Sequence, residues 1–274
     1  MTTARRRKLT RDELRALFVE AGRAIVREDG LGTGGEMLTL KRARERVETQ
    51  EGIHVTNASI IGRVWKSQAE FATDVLVSIA GAYSSAEIEN TLMAVAPILT
   101  SVDSSSEDSR RSALRELCRV GSAVQIEALR HSQEFSRWIA VWALTAIGPA
   151  SENRLRIESA LEESYESVTK HLDAIYQLVL DLLGYRLRYG LTVRQFTIAA
   201  EALTEGLLLR ERMNAEHFDG IVRPSGPGRA NQEWTLLGLA VDGLSAAFFE
   251  LDPDWEPPTT DTAVESSALT DHMP

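Results

Sequence analysis

Apolar residues recur every third or fourth position along almost the whole 274-residue chain, and no alternating apolar and polar run bounded by turn residues interrupts them. That spacing gives each of a series of helices one apolar stripe, which predicts an all-α fold. The longest stripe is also the most regular. Leu161, Tyr165, Val168, Leu172, Ile175, Val179 and Leu182 step by four and three, a continuous seam for packing against other helices.

Punctuation residues place the helix ends. Thr10 and Glu13 have the spacing of a capping box, ahead of a helix over 11–29 that turns Leu14, Leu17, Phe18, Ala21 and Ile25 inward and stops at Gly30. The glycines between Gly32 and Gly35 read as linker, because no strand precedes them and no Lys-Ser/Thr of a phosphate-binding loop follows. Thr39 caps a second short helix, Gly52 closes it, Thr56 caps a third over 57–64, and a fourth runs from Ser67 to 82 on Phe71, Val75, Leu76 and Ile79. Further helices are expected at about 85–99, 106–131, 133–147, 152–187, 192–212 and 232–250, with a loop at Ser225–Arg229. From Asp252 onward Pro253, Pro257, Pro258 and a polar Thr/Ser/Asp run predict a disordered tail. The expected division is a small head over 1–80, a larger helical body over 81–251 and the tail over 252–274.

A formal net charge of −10 argues at first against a nucleic-acid partner, but the charge is unevenly spread. Residues 1–75 hold 14 Lys+Arg and 11 Asp+Glu, net +3, which leaves 16 and 29 for the rest, net −13. A basic head on an acidic body neutralises phosphates while the body stays soluble. The single cysteine, Cys118, excludes an internal disulfide and a cysteine-based zinc site, and its neighbours Leu114 and Leu117 predict an inert core position. No apolar run reaches the length needed to cross a bilayer, and the basic N-terminus leads into no hydrophobic stretch; the expectation is a cytoplasmic protein without a membrane partner.

Motifs for catalysis are missing. The one Glu-x-x-His spacing, Glu51 to His54, falls in an expected turn, and there is no Gly-x-Ser-x-Gly elbow, dinucleotide fingerprint or His-Glu-x-x-His. Glu162, Glu163 and Glu166 read as a solvated helix face. The chain is therefore expected to be neither an enzyme nor a cofactor protein.

Thr39 to Phe71 has instead the layout of a helix-turn-helix with a supporting helix behind it. Thr39, Lys41 and Arg42 open its first helix. Thr56, Asn57 and Ser59 give the second helix a small, polar N-terminus able to reach base edges or phosphates, and Arg63 and Lys66 follow as grips on the DNA backbone. In order, a first helix ending EDG, then LTLKRARERV, then VTNASIIGRVWKSQAEF, the chain resembles the TetR family of bacterial repressors over about its first 80 residues. It departs from the family pattern in three places. The turn over 48–55 is longer, the first aromatic place of the recognition helix falls on Ile61 or Gly62, and Gln68 stands where a lysine is usual.

The resemblance implies a homodimer on two-fold double-stranded operator DNA, released by an unknown small-molecule effector bound in the helical body. Trp138, Trp142, Tyr165 and Tyr176 are candidates to line that effector's cavity, with plain core packing as the alternative, and Arg137, His131 and His171 to add polar contacts. The apolar faces Phe196, Ala200, Leu203 and Leu207, then Leu237, Val241, Leu244 and Phe248, are the candidate dimer interface. The altered turn and the missing aromatic hydroxyl leave a second reading open: a TetR-shaped protein-interaction module without DNA binding.

Overall fold

The computed structural model describes residues 9–31, 38–56, 60–83, 86–218, 220–226 and 229–257. Among the described residues nine helices carry the fold. They are α1 (Arg11–Asp29), α2 (Leu40–Glu51), α3 (Gln68–Ala80), α4 (Ala86–Thr100), α5 (Glu107–His131), α6 (Gln133–Ile147), α7 (Glu152–Leu183), α8 (Val193–Met213) and α9 (Leu236–Phe248). Two small antiparallel sheets accompany them: β1 (Tyr185–Leu187) with β4 (Phe249–Leu251), and β2 (Ile221–Pro224) with β3 (Asn231–Trp234). The chain divides into two compact units, residues 1–84 with 132–167, and residues 85–131 with 168–274.

In the first unit the helix ends follow the capping residues. The Oγ1 of Thr10 accepts from the Glu13 amide at 3.2 Å while the Thr10 amide donates to the Glu13 carboxylate at 2.8 Å, so two orphan donors are closed reciprocally. Thr39 and Ser67 cap α2 and α3 by the side-chain bond alone, accepting from the Arg42 and Glu70 amides, each at 3.2 Å. Helix α1 packs on α2 and α3, and α3 also packs on α6. At the centre Trp65 lies between Phe18 and Phe71, with ring centroids 6.1 and 5.1 Å away, and all three rings are buried. Each such ring contributes roughly 2–3 kcal/mol through removal from water.

In the second unit Val95, Ala113, Leu117 and Leu183 form one buried cluster, and Leu180, Phe196, Ala200 and Phe249 another. Cys118 is buried, with its Sγ 3.5 Å from the Ser245 hydroxyl, and burial pushes its thiol up to about 12. That buried position is the one its helical neighbours predicted.

Strands are the main departure from the all-helical expectation. Helix α7 ends at Leu183 rather than 187, because Gly184 takes φ +62° and the chain turns into β1. Its partner β4 takes Phe249 and Glu250, the last residues expected in the final helix, and ends at Leu251, just before the expected tail. The segment Asp252–Trp255 is likewise held: the Asp252 amide donates to the Gly184 carbonyl at 3.0 Å, and the Trp255 indole donates to the Asp181 carbonyl at 2.9 Å. The buried Arg110 guanidinium lies 4.6 Å from the Trp255 ring. Residues 258–274 of the expected tail lie outside the described residues. The loop expected at Ser225–Arg229 joins β2 to β3, and Trp234, buried, anchors that hairpin by donating to the Arg223 carbonyl at 3.2 Å. Strands of three and four residues are too short for a period of two to register in sequence, so helix spacing reads through them.

Gly184 is fixed by its neighbours as well as by its backbone. A Cβ there would stand 2.3 Å from Arg110 Nη1 and 2.4 Å from the Trp255 ring. Substitution of Gly184 by Ala is expected to cost about 2–4 kcal/mol, from left-handed strain plus overpacking. A lower urea midpoint with unchanged slope would register that loss.

Candidate functional site

The segment from Gly52 to Ala69 contains no Asp or Glu and carries Arg63 and Lys66. Asn57 and Ser59, two of the candidate base contacts, lie outside the described residues, as do the linker glycines Gly32–Gly35. Thr56, Arg63 and Lys66 are exposed. Where a helix is expected to continue to Val64, helical structure ends at Ile60 and a tight turn follows. Gly62, at φ +87°, donates its amide to the Trp65 carbonyl at 2.7 Å, and Val64 donates to the Ile60 carbonyl at 2.9 Å. The physical cause is Trp65: burying its ring pulls the chain inward just where the sequence pattern continues the helix.

What holds Trp65 is a carboxylate that the sequence pattern did not single out. Asp74 of α3 is buried, and its Oδ2 accepts from Trp65 Nε1 at 2.6 Å and from Arg15 Nε at 2.8 Å. Its Oδ1 accepts from Arg156 Nη2 of α7 at 2.5 Å. Burial alone would push this carboxyl up; the hydrogen bonds from Arg15, Trp65 and Arg156 outweigh it and hold Asp74 below the usual carboxylate range. A polar residue breaking the apolar stripe of α3, between Phe71 and Val75, was the available signal.

Two of the four cations of α2 reach back to α1. Arg42 pairs with Asp29, and Arg46 pairs with Glu28 at 2.6 Å, so both are spent on the end of α1. Lys41, by contrast, is exposed, while Thr39 serves as the cap of α2. Arg63 donates to the Leu9 carbonyl at 3.1 Å, which ties the segment before α1 to the turn. Gln68 does what a lysine at its position cannot. Its Nε2 donates to the Leu38 carbonyl at 2.7 Å, and its Oε1 accepts from the Leu40 amide at 3.0 Å. A side chain with donors only would leave that first-turn amide of α2 unanswered.

Compared with known proteins, the chain matches no protein-family model and no curated protein. The assignment of roles therefore rests on the residues themselves.

The four aromatic residues named as a cavity lining are not brought into one cluster. Trp138 is 1% exposed, its faces covered by Tyr83 at 4.8 Å and Tyr165 at 6.4 Å, with its indole N–H donated to the Ser164 hydroxyl at 3.2 Å. It is core. Trp142, one turn on, is 43% exposed. Tyr176 belongs to the second unit, edge-on to Phe196 at 4.9 Å, where burial raises its phenol above the ordinary value. Of the polar candidates, His131 pairs with Glu127 at 2.9 Å on the surface, and Arg137, lowered by burial and then by Arg27 and Arg23, reaches Gln133 at 3.4 Å. The Nε2 of His171 is buried and has no hydrogen-bond partner among the described residues.

Of the candidate dimer faces, Phe196, Ala200 and Leu237 are buried within the chain, Phe196 against Phe249 at 4.5 Å, while Leu203, Leu207, Val241, Leu244 and Phe248 are half-buried. The exposed stripe on α8 is the opposite one, Ile198, Ala202, Gly206, Leu209 and Met213, and on α9 it is Gly243, Ala246 and Ala247. Periodicity shows that a helix has an apolar face; where a helix has two, it does not show which one the chain buries.

Along α8 lies a pair of acids. Glu201 accepts from the buried Thr169 hydroxyl at 3.0 Å, and Glu205 is pushed up to about 7 by burial and by the Glu201 charge. The folded state thus holds the Glu205 proton more tightly than the unfolded chain, whose ordinary value is 4.5, so stability falls as pH rises from 4.5 to about 7. Glu205→Gln removes that slope. The variant is expected to be about 1–2 kcal/mol more stable than the parent near pH 8, with the difference vanishing toward about pH 4.5 in thermal melts.

Proposed function

We propose that the chain is a sequence-specific DNA-binding transcriptional regulator of the TetR kind, which occupies its operator as a homodimer and leaves it when a small molecule binds the helical body. The observation that supports this most is the sorting of cations in the first unit. Arg42 and Arg46 are neutralised by Asp29 and Glu28, whereas Lys41, Arg63 and Lys66 are exposed around an acid-free stretch from Gly52 to Ala69. Exposed cations that neighbour small polar residues in the sequence suit phosphate contacts around a groove-reading element. In this reading Lys41, Arg63 and Lys66 grip the backbone, and Thr56, Asn57 and Ser59 approach the bases. Two-fold operators call for two such elements, and the small-residue stripe of Ala202, Gly206, Gly243, Ala246 and Ala247 suits close helix packing between copies.

One observation favours the interaction-module alternative: Ile61, 48% exposed, presents an apolar side chain where the family has an aromatic hydroxyl. Binding to duplex DNA from the region upstream of the protein's own gene, against scrambled duplex at two salt concentrations, separates the two readings. A selective, salt-sensitive complex with two subunits per site supports the regulator, and indifference to sequence supports the module.

Within the regulator reading, Lys66→Ala is expected to weaken binding to all duplexes and flatten the salt slope by about one unit, while Asn57→Ala reduces discrimination between sites. Ala202→Glu, on the exposed stripe of α8, is expected to yield a monomer by light scattering and to lose operator binding.

A further inference from the structure

Three donors converge on Asp74, but they do not share its two oxygens equally. Trp65 and Arg15 both use Oδ2, whereas Oδ1 is held by Arg156 at 2.5 Å. Arg15 and Trp65 belong to the first 80 residues, the part that resembles a DNA-binding head. Arg156 stands outside them, on α7, a helix whose residues from 168 on belong to the second unit, where Thr169 bonds Glu201 and Asp173 pairs with Arg194 at 3.0 Å.

A carboxylate fixed at one oxygen cannot rotate away from what it holds with the other. With Arg156 in place, Oδ2 faces the Trp65 indole, and the indole anchors the turn through the Gly62 amide on the Trp65 carbonyl and the Trp65 amide on the Ile60 carbonyl. Without it the carboxylate is held only on the Oδ2 side by its two hydrogen bonds, and its orientation loosens. The Arg156 side chain is 37% exposed against 4% for Asp74, so it can withdraw into solvent at a lower cost than the buried acid can move.

We propose that Arg156 is a positioning residue for the DNA-reading segment: its hold on Asp74 keeps Trp65 and the turn over 60–65 in place, and displacement of α7 loosens them and lowers operator affinity. This rests on the function proposed above; Arg156 and Asp74 share the first unit, and α7 continues from there into the second. It requires no contact between Arg156 and DNA. Arg154 is the internal control, since it lies on the same helix and pairs with Glu158 at 2.6 Å and with the Gly148 carbonyl rather than with Asp74.

The test compares full-length parent, Arg156→Gln, Arg156→Lys and Arg154→Gln. Hydrogen exchange of the Trp65 indole N–H is followed by NMR, with its resonance assigned through Trp65→Phe, and operator binding is measured across a salt series. Arg156→Gln is expected to speed exchange of the Trp65 indole about tenfold and weaken operator binding about tenfold, with the salt slope unchanged. Arg156→Lys restores part of both, and Arg154→Gln changes neither. Unchanged Trp65 exchange in Arg156→Gln overturns the proposal, as does faster exchange with unaltered operator affinity. A salt slope reduced by about one unit also overturns it, because Arg156 would then be a phosphate contact. Should the parent bind no DNA selectively, the function proposed above fails, and Trp65 exchange alone decides whether α7 controls this segment.

Discussion

A buried carboxylate must be answered by donors, and in the first unit that requirement organises everything around it. Asp74 sits in the apolar stripe of α3 with its charge taken from water, which is tolerable only because Arg15, Trp65 and Arg156 all reach it. To supply those donors α1 must present Arg15, the chain after Ile60 must fold back to bury Trp65, and α7 must bring Arg156 alongside. The turn at 60–65 follows from this and not from local preference. Each partner is also one that a hydrophobic residue at 74 would not demand, so the group fixes the register of its elements more sharply than packing of Phe18 and Phe71 alone.

Cations in this unit illustrate how one residue type divides between structure and surface. Arg42 and Arg46 lie on α2 within reach of the acids that end α1, and their pairing ties the two helices together. Partly exposed pairs of this kind contribute little stability each, about 0–1 kcal/mol, but they decide which positive charges remain available. Lys41 and Lys66 remain exposed. Gln68 belongs to the first group although it is uncharged, since its amide answers a donor and an acceptor at the start of α2 at once.

The second unit is arranged around a different constraint, the close approach at Gly184. Arg110 and Trp255 leave no room for a side chain there, and the same glycine ends α7 and opens β1. Pairing of β1 with β4 then carries the chain past α9 into a segment anchored by the Trp255 indole, so that residues with a disorder-like composition are held in place. Composition measures whether a segment can bury apolar surface by itself; one tryptophan seated on an existing surface is enough to hold several polar residues.

Most helix positions and the N-terminal ends of the first helices were legible in the sequence, because they depend on neighbours three and four residues away, whereas the end of α7 at Leu183 and both ends of α9 were not. Thr10 with Glu13, Thr39 and Ser67 cap α1, α2 and α3 as their spacing demands, and the apolar stripes identify the helical core of both units. What the sequence could not disclose lies between residues far apart in the chain. Asp74 meets Arg15 and Arg156 across 59 and 82 positions, Arg110 meets the Gly184 carbonyl across 74, and β1 pairs with β4 across more than 60. The same limit explains the candidate site: the sequence marked the acid-free basic stretch and its polar residues, but only tertiary structure decided that Arg42 is paired, that Trp138 is core, and that Phe196 faces inward. Local free energies set where helices begin and stop; which face is buried and which charge stays free is settled by the partner that arrives from elsewhere in the chain.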